Sequence, residues 1–385
     1  MISIGGFLMK KYKNNLKYPF SSIVGQELMK IALILNLIDS KIGGVLIRGE
    51  RGTSKSTAVR ALPSILPTQD VVSNCIFSCN PNKPDELCDV CSSNIDSLKS
   101  TTKKVEIIEL PVSATEDMLV GSINIGEAIK HGKKKFEPGI LAAANRNILY
   151  VDEVNLLNDH LVDSLLDVAA MGVNVVKREG VSYIHPSKFV LIGTMNPEEG
   201  DLRPQLLDRF GLSVEVKGIT DVNKRLEIIN RRSSFDNDPK NFLAKWIEED
   251  KKIAKKIDNA KKMLPFVKIS KSLLSTIIQI CIDYGVEGHR GDITMVKTAK
   301  ALAAYNQRNE VSIEDIELAA ELVLPHRVKK STFSNDTFNK EKIKESIKNT
   351  EEEYSNKNKD NSLNNLENKL NSSLTTHFRS SKPFF

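Results

Sequence analysis

The sequence predicts an α/β protein: a parallel sheet flanked by helices, followed by an all-helical domain and a disordered tail. Three observations carry that reading. Short β-branched runs alternate with helical patterns through the first half of the chain, as a parallel sheet requires. The best-defined runs end in polar groups at their carboxyl ends, where open α/β sheets bind ligands. From about Thr220 the apolar spacing becomes helical only.

Taken in order, Gly44–Arg48 reads as a first buried strand and Val105–Leu110 as a second. Ile148–Val151 is a third, ending in the acidic pair Asp152 and Glu153. Phe189–Thr194 is a fourth, ending near Asn196, and Ser213–Val216 a shorter fifth. In the helical part, Phe242, Leu243, Trp246, Ile247, Ile253 and Ile257 recur at helical spacing until Pro265 interrupts them. Ser312 with Asp315 three residues on marks a further helix start. The expected limits are 1–218 for the core, 219–330 for the helical domain and 331–385 for the tail. In that tail Lys, Asn, Ser and Glu replace the apolar residues, leaving too little surface to bury against the entropy of ordering.

Composition excludes several classes. A chain of 385 residues that is 40% hydrophobic and 27% charged is neither collagen, nor a coiled-coil rod, nor wholly disordered. The excess of 55 Lys+Arg over 49 Asp+Glu is small and spread out, so charge neither demands nor excludes nucleic acid. Lys133–Lys135 are followed by only one aromatic, Phe136, so a stacking channel for single strands is not expected. No run of about 18 apolar residues exists, so no membrane span is predicted. The basic residues of the first ten positions follow the apolar ones, the wrong order for a secretory signal. A cytoplasmic place is expected, or the plastid stroma in a photosynthetic eukaryote.

Four of the five cysteines share one segment, Cys75-x3-Cys79-x8-Cys88-x2-Cys91. That is the ligand count of a closed structural zinc site, with feasible pair spacings. Pro81, Pro84 and Asp85 between the pairs suit an ordinary exposed loop equally well, and the sequence leaves both open. Cys281, within Ile277–Ile282, reads as core.

The central motif is Gly49-Glu50-Arg51-Gly52-Thr53-Ser54-Lys55-Ser56, after a strand and before a helical run that starts at Thr57. Backbone N–H groups curled ahead of a helix can cradle phosphate oxygens. Lys55 then serves the β- and γ-phosphates, and the Ser56 hydroxyl serves Mg²⁺. Serine replaces the usual glycine at Ser54, which is strained if that position needs a positive φ. A glycine-rich turn with an accidental lysine is disfavoured by the strand–loop–helix context. Asp152 is placed to hold the magnesium shell and Glu153 to orient a water. Asn196 reads either as a γ-phosphate sensor or as a turn former before Pro197.

These residues, with Ile23-Val24-Gly25-Gln26 upstream and Asp208-Arg209-Phe210 downstream, resemble the AAA+ ATPases. More narrowly they are similar to the ATPase subunit family of magnesium and cobalt chelatases. The supporting stretches include Phe136–Gly139, Leu149–Leu157, Asn196–Gly200, Leu202–Gly211 and Gly288–Asp292. The resemblance implies an AAA+ P-loop core, a helical lid, and insertion hairpins at about 112–139 and 173–183. It implies ATP and Mg²⁺ as cofactors, with Gly49 to Thr57, Val24 and Asp152 at the nucleotide. It also implies that Glu153 and Asn196 act in hydrolysis, Arg209 as a finger reaching a neighbour in trans, and Arg290 as the second sensor. The implied activity is that of an ATPase subunit of magnesium chelatase, a ligase forming nitrogen–metal bonds. The motor would drive Mg²⁺ insertion into protoporphyrin IX by a separate large subunit. A hexameric ring of this chain and a partner AAA+ subunit with a metal-ion-adhesion-type domain are expected, that domain being missing before Phe385. Cobalt insertion into a corrinoid, a MoxR-like chaperone and a nucleic-acid motor are the competing readings.

Overall fold

The computed structural model describes residues 17–124, 135–178, 181–328 and 341–348. Five strands form one parallel sheet in the order β11-β1-β10-β7-β4, with β1 Val45–Gly49, β4 Ile107–Leu110, β7 Ile148–Val151, β10 Val190–Met195 and β11 Leu212–Val216. Each strand predicted for the sheet is present, the second starting at Ile107 rather than Val105. Val45 pairs with Ile192 on one side and Leu212 on the other, which puts β1 between β10 and the edge strand β11.

Side chains alternate along these strands, as period-two geometry dictates. Val45 and Ile47 enter one buried cluster with Ile192, Tyr150 and Val214, while Leu46 enters the opposite one with Leu149, Val151 and Leu191. Helix α1 (Glu27–Ile38) covers the first face through Met29, Leu33 and Leu37, and buried Asn36 donates to the Leu191 carbonyl at 2.9 Å. Helix α2 (Lys55–Ala61) follows the phosphate loop. Helix α3 (Asp159–Met171) covers the second face through Leu161, Val162, Leu165 and Leu166.

Three antiparallel hairpins stand outside the sheet. β2 (Gln69–Val72) pairs with β3 (Ser100–Lys103), a hairpin that the sequence did not announce. β5 (Gly121–Asn124) pairs with β6 (Lys135–Pro138) within the first expected insertion, and β8 (Val173–Arg178) with β9 (Val181–Pro186), which runs three residues past the expected limit of the second. Lys133 and Lys134 lie outside the described residues.

After the short helix α4 (Pro204–Arg209) and strand β11, the chain is helical: α5 (Val222–Asn237), α6 (Pro239–Met263), α7 (Lys271–Asp283), α8 (Arg290–Tyr305) and α9 (Ile313–Val323). Helix α6 stops two residues before Pro265, which cannot donate to the helical ladder. Ser312 and Asp315 form the expected capping box of α9. The helical part shares its core with the sheet face under α1, so Ile257, Ile280, Met295 and Ile316 belong to one cluster with Leu33 and Val214.

The expectation of a wholly disordered tail is corrected at 341–348, which is helical. Ile343 and Ile347, one turn apart, are buried in the main cluster, and the Ser346 hydroxyl donates to Asp283 at 2.6 Å. Two isoleucines on one stripe suffice where a neighbouring apolar surface receives them. Composition averaged over the tail hides that pair. Among the described residues no helix is long and apolar enough to cross a membrane.

Candidate nucleotide site

The loop from Gly49 to Ser54 takes its shape from its neighbours. Gly49 has φ +154°, and a Cβ there would stand 2.1 Å from the Val216 carbonyl of β11, so only glycine fits. Ser54 has φ +67° and ψ 17°, the left-handed conformation that serine resists. The strain anticipated for Ser54 is therefore present in the fold. Thr53 donates its hydroxyl to the Glu50 carbonyl at 2.8 Å, closing the turn from inside.

Lys55 heads α2 with its ammonium on the Gly49 and Glu50 carbonyls, at 2.5 and 2.7 Å. Burial lowers its pKa, and Asp152, Glu153, Glu199 and Glu50 oppose that shift. The loop borders a cleft of about 540 Å³. Glu50, Arg51, Gly52, Thr53, Ser54 and Thr57 line it, as do Lys217, Arg225 and Arg232, and Ile23, Val24, Ile219 and Ile229 supply apolar wall. A helix-headed loop next to a cleft with both polar and apolar lining suits a nucleotide, whose phosphates and base need both.

Beneath the loop runs a connected polar chain. The Tyr150 hydroxyl, on β7, donates to Ser56 Oγ at 3.1 Å and lies 3.3 Å from Thr194 Oγ1 on β10. Thr194 in turn donates to Asp152 Oδ1 at 2.5 Å and accepts from the Glu153 amide at 3.3 Å. Burial raises the Tyr150 pKa, so its phenol stays protonated and available as a donor. Ser56 and Asp152 thus present a hydroxyl and a carboxylate coupled through two intervening hydroxyls, hard oxygen donors that suit Mg²⁺. Glu153 follows at φ +54°, a strained conformation that turns it out of the strand line.

Two further polar side chains near the loop find partners within the chain. The Arg51 guanidinium leaves the loop and pairs with Glu199, with Glu153 at 3.9 Å. Asn196 is buried and its side chain accepts from the Glu198 amide at 3.3 Å, capping the turn Pro197–Glu199. Its turn-forming role is realised, with the side chain at the tip of β10 beside Thr194 and Glu199.

Comparison with known proteins bears on this arrangement. The AAA domain (dynein-related subfamily) matches residues 92–210, and the AAA lid domain matches residues 274–346. The magnesium-chelatase subunit ChlI homolog of Methanocaldococcus jannaschii is 55% identical over 332 residues, 86% of this chain and 90% of that one. The magnesium-chelatase subunit ChlI of a Nostoc species is 50% identical over 83% of this chain and 86% of its own. The chain belongs to the magnesium-chelatase ATPase-subunit family. A solved complex between the BchI and BchD subunits of magnesium chelatase contains a chain 44% identical to this one, with a TM-score of 0.51. It covers 86% of this chain and 100% of that one. A protein of Cytophaga hutchinsonii, 20% identical with a TM-score of 0.58 over 86% of this chain and 91% of its own, shares the fold.

In this chelatase subunit the two arginines assigned by sequence lie apart from the chain's own cleft. Arg209, at the end of α4, is paired with Asp163 at 2.9 Å and Asp167 at 2.6 Å, both on α3. Arg290, at the start of α8, is paired with Asp208 at 3.1 Å. Both border one surface groove with Gly43, Met171, Ile293 and Lys297, and neither lines the nucleotide cleft.

Sequence reasoning missed Tyr150, Thr194 and Arg327. A tyrosine and a threonine inside apolar strand runs were the available signal for the first two. Arg327, whose side chain is 1% exposed, donates to Asp208 Oδ1 at 3.0 Å and to the carbonyls of Asp208, Phe210, Gly211 and Val323. Burial pushes its pKa down to about 10, against the pull of Asp208. It fastens the end of the helical domain to the segment that carries Arg209.

The four clustered thiols also converge. Their sulfur atoms all lie within 4.8 Å of one another, with Cys79, Cys88 and Cys91 buried and Cys75 partly so. Cys75 has its pKa lowered by the hydrogen bond from Cys79, then by that from Cys88. Cys281 is buried in α7, as expected of core.

Proposed function

We propose that this chain is the ATP-hydrolysing motor of a magnesium chelatase, driving Mg²⁺ insertion into protoporphyrin IX by a separate large subunit. The observation that carries the reading is the linked set Ser56, Tyr150, Thr194 and Asp152 next to Lys55 and the cleft bordered by the phosphate loop, in a chain about half identical to chelatase subunits. In this reading the amides of Gly49 to Thr57 and the Lys55 ammonium bind the triphosphate, and Val24 borders the base. Ser56 and Asp152 would hold Mg²⁺, which when bound neutralises charge on the phosphate oxygens. Glu153 orients the attacking water, and Asn196, freed from its turn, senses the γ-phosphate.

Arg209 acts in trans. It is not among the residues that line its own cleft, and its present partners, Asp163 and Asp167, are the carboxylates that a neighbour's phosphate would displace. Arg290 shares that groove and is assigned to the same neighbouring site. A hexameric ring follows as the working form, together with a partner AAA+ subunit that carries a metal-ion-adhesion-type domain; the solved complex of BchI with a second subunit, BchD, supports such a partner. The place of work is the cytoplasm, or the stroma where plastids exist. The four clustered cysteines hold a structural Zn²⁺ that takes no part in hydrolysis.

The test is complementation followed by insertion. Glu153→Gln and Arg209→Ala chains are each inactive alone, and mixing them restores turnover at seams where an intact Glu153 faces an intact Arg209. No recovery on mixing, with rings assembled, removes the trans assignment. Mixing the parent chain with purified large subunits, protoporphyrin IX or a corrinoid, and Mg²⁺ or Co²⁺ then identifies the inserted metal. Insertion of Co²⁺ alone would overturn the magnesium reading while leaving the ATPase intact.

A further inference from the structure

The cysteine loop does more than gather four sulfurs. It lies at the tip of the β2–β3 hairpin, where Val72 pairs with Ser100 and closes the loop at its base. Asn74 and Ser78, both at positive φ, turn the backbone twice, so that Cys75 and Cys79 face inward. The Cys75 amide donates to the Val72 carbonyl at 3.2 Å and the Ser78 amide to the Cys75 carbonyl at 3.1 Å. Cys88 precedes the one-turn helix Asp89–Ser92 that carries Cys91, and its amide donates to Cys79 Sγ at 3.2 Å.

These distances suit a tetrahedral ion. With a Zn–S bond of about 2.3 Å, the sulfurs of a tetrahedron stand about 3.8 Å apart. Cys75 and Cys88 Sγ are 3.9 Å apart, and the full set lies within 4.8 Å, so a small contraction closes the shell. Four thiolates leave such a site a net negative charge. Arg146, whose guanidinium donates to the Asp70 and Ser78 carbonyls at 2.6 and 3.1 Å, stands beside Cys79 to offset it.

The loop is also where the two insertion hairpins meet the core. Phe77, between the first two cysteines and 1% exposed, stacks on His185 of β9 at 4.7 Å between ring centroids. Phe136 of β6 stacks on Tyr183 of β9 at 4.3 Å, and both rings lie 6.4 Å from Phe77. The Phe77 carbonyl accepts from buried Asn145 at 2.6 Å, tying the same residue to the ATPase core. Among the described residues this satellite core holds six buried side chains, three of them cysteines. A core that thin resembles those small domains in which metal binding is the folding free energy.

We propose that Zn²⁺ on Cys75, Cys79, Cys88 and Cys91 is the anchor that fixes Phe77. Through the stack with His185, Tyr183 and Phe136, it ties both insertion hairpins to the ATPase core. The inference rests on the zinc reading given above and adds what the site does. Zinc occupancy then sets the posture of β5–β6 and β8–β9, the surfaces offered to other subunits, and leaves the phosphate loop untouched.

The experiment uses the full chain purified without chelators, its metal content measured by elemental analysis. Backbone hydrogen exchange is then followed in the segments 121–124, 135–138 and 173–186. One zinc per chain is expected, and replacement by Co²⁺ should give the intense thiolate-to-cobalt absorption of a tetrahedral S₄ site. The Cys75→Ser/Cys88→Ser variant, and parent protein stripped by a thiol-reactive mercurial, should both exchange at least about tenfold faster in the hairpins. Phe77→Ala should keep its zinc and show the same hairpin loosening. MgATP affinity should change less than twofold in all of them. Absence of zinc, iron in its place, or cysteines paired as disulfides overturns the zinc reading and the inference together. Stoichiometric zinc with hairpin exchange unmoved by its removal, or by Phe77→Ala, overturns the anchoring alone.

Discussion

At the phosphate loop position is set by backbone, whereas at the arginine face it is set by side-chain pairs that have alternatives. Gly49 is fixed against the Val216 carbonyl, Ser54 by a left-handed turn, and Ser56 and Asp152 by neighbouring strand ends joined through Tyr150 and Thr194. Arg209 instead rests on Asp163 and Asp167, and Arg290 on Asp208, all at the surface. Exposed ion pairs of that kind contribute little and are readily exchanged for a better anion. The phosphate loop is therefore shaped by the fold itself, while in the proposed ring the arginines would exchange their carboxylates for a neighbour's phosphate.

The largest effect that can break this contrast comes from Arg209→Ala. Turnover of the assembled ring should fall by about 10³-fold or more, as finger arginines do, while MgATP binding by the single chain stays within about twofold. Equal losses in binding and turnover would mean that the arginine serves its own cleft. Next is Arg327→Met, which removes the buried guanidinium that holds five oxygens around Asp208 and Val323. Its expected cost is about 3 kcal/mol in denaturant unfolding, and an unchanged midpoint would show that the arginine face needs no internal fastening.

A smaller change tests the cleft side. Tyr150→Phe deletes the donor to Ser56 without altering the core volume, and the Mg²⁺ concentration for half-maximal hydrolysis should rise about tenfold. The unfolding free energy should move by only about 1 kcal/mol. If the Mg²⁺ requirement does not move, the polar chain under the loop is structural only. Smallest is Ser54→Gly, which relieves the left-handed strain and should stabilise the chain by about 1 kcal/mol in thermal unfolding. A destabilised variant would show that the serine hydroxyl makes up for its backbone conformation.

The same contrast governs what the sequence disclosed. The sheet was legible because its strands are short, apolar on both faces and end in Lys55, Asp152 or Asn196, each within a few residues of a strand that predicts it. The unannounced β2–β3 hairpin has an exposed edge and mostly polar residues, Gln69, Asp70, Ser100, Thr101 and Thr102 among them, so no periodicity marks it. Helix 341–348 escaped for a related reason, since Ile343 and Ile347 become a buried stripe only where the lid receives them.

By itself the sequence determined the local chemistry: a strand, a loop of small residues and a helix head make an anion cradle wherever they occur consecutively. It also determined that an acidic pair would stand at a strand end. Which strand lies beside which, and so whether Thr194 reaches Asp152, was decided only by the parallel register of β1, β7 and β10. The tertiary structure alone turned Arg290 toward Asp208, and drew four cysteines spread over 17 positions to within 4.8 Å. Such contacts join residues far apart along the chain. Their geometry depends on how every intervening element packs, and residue spacing does not carry that information.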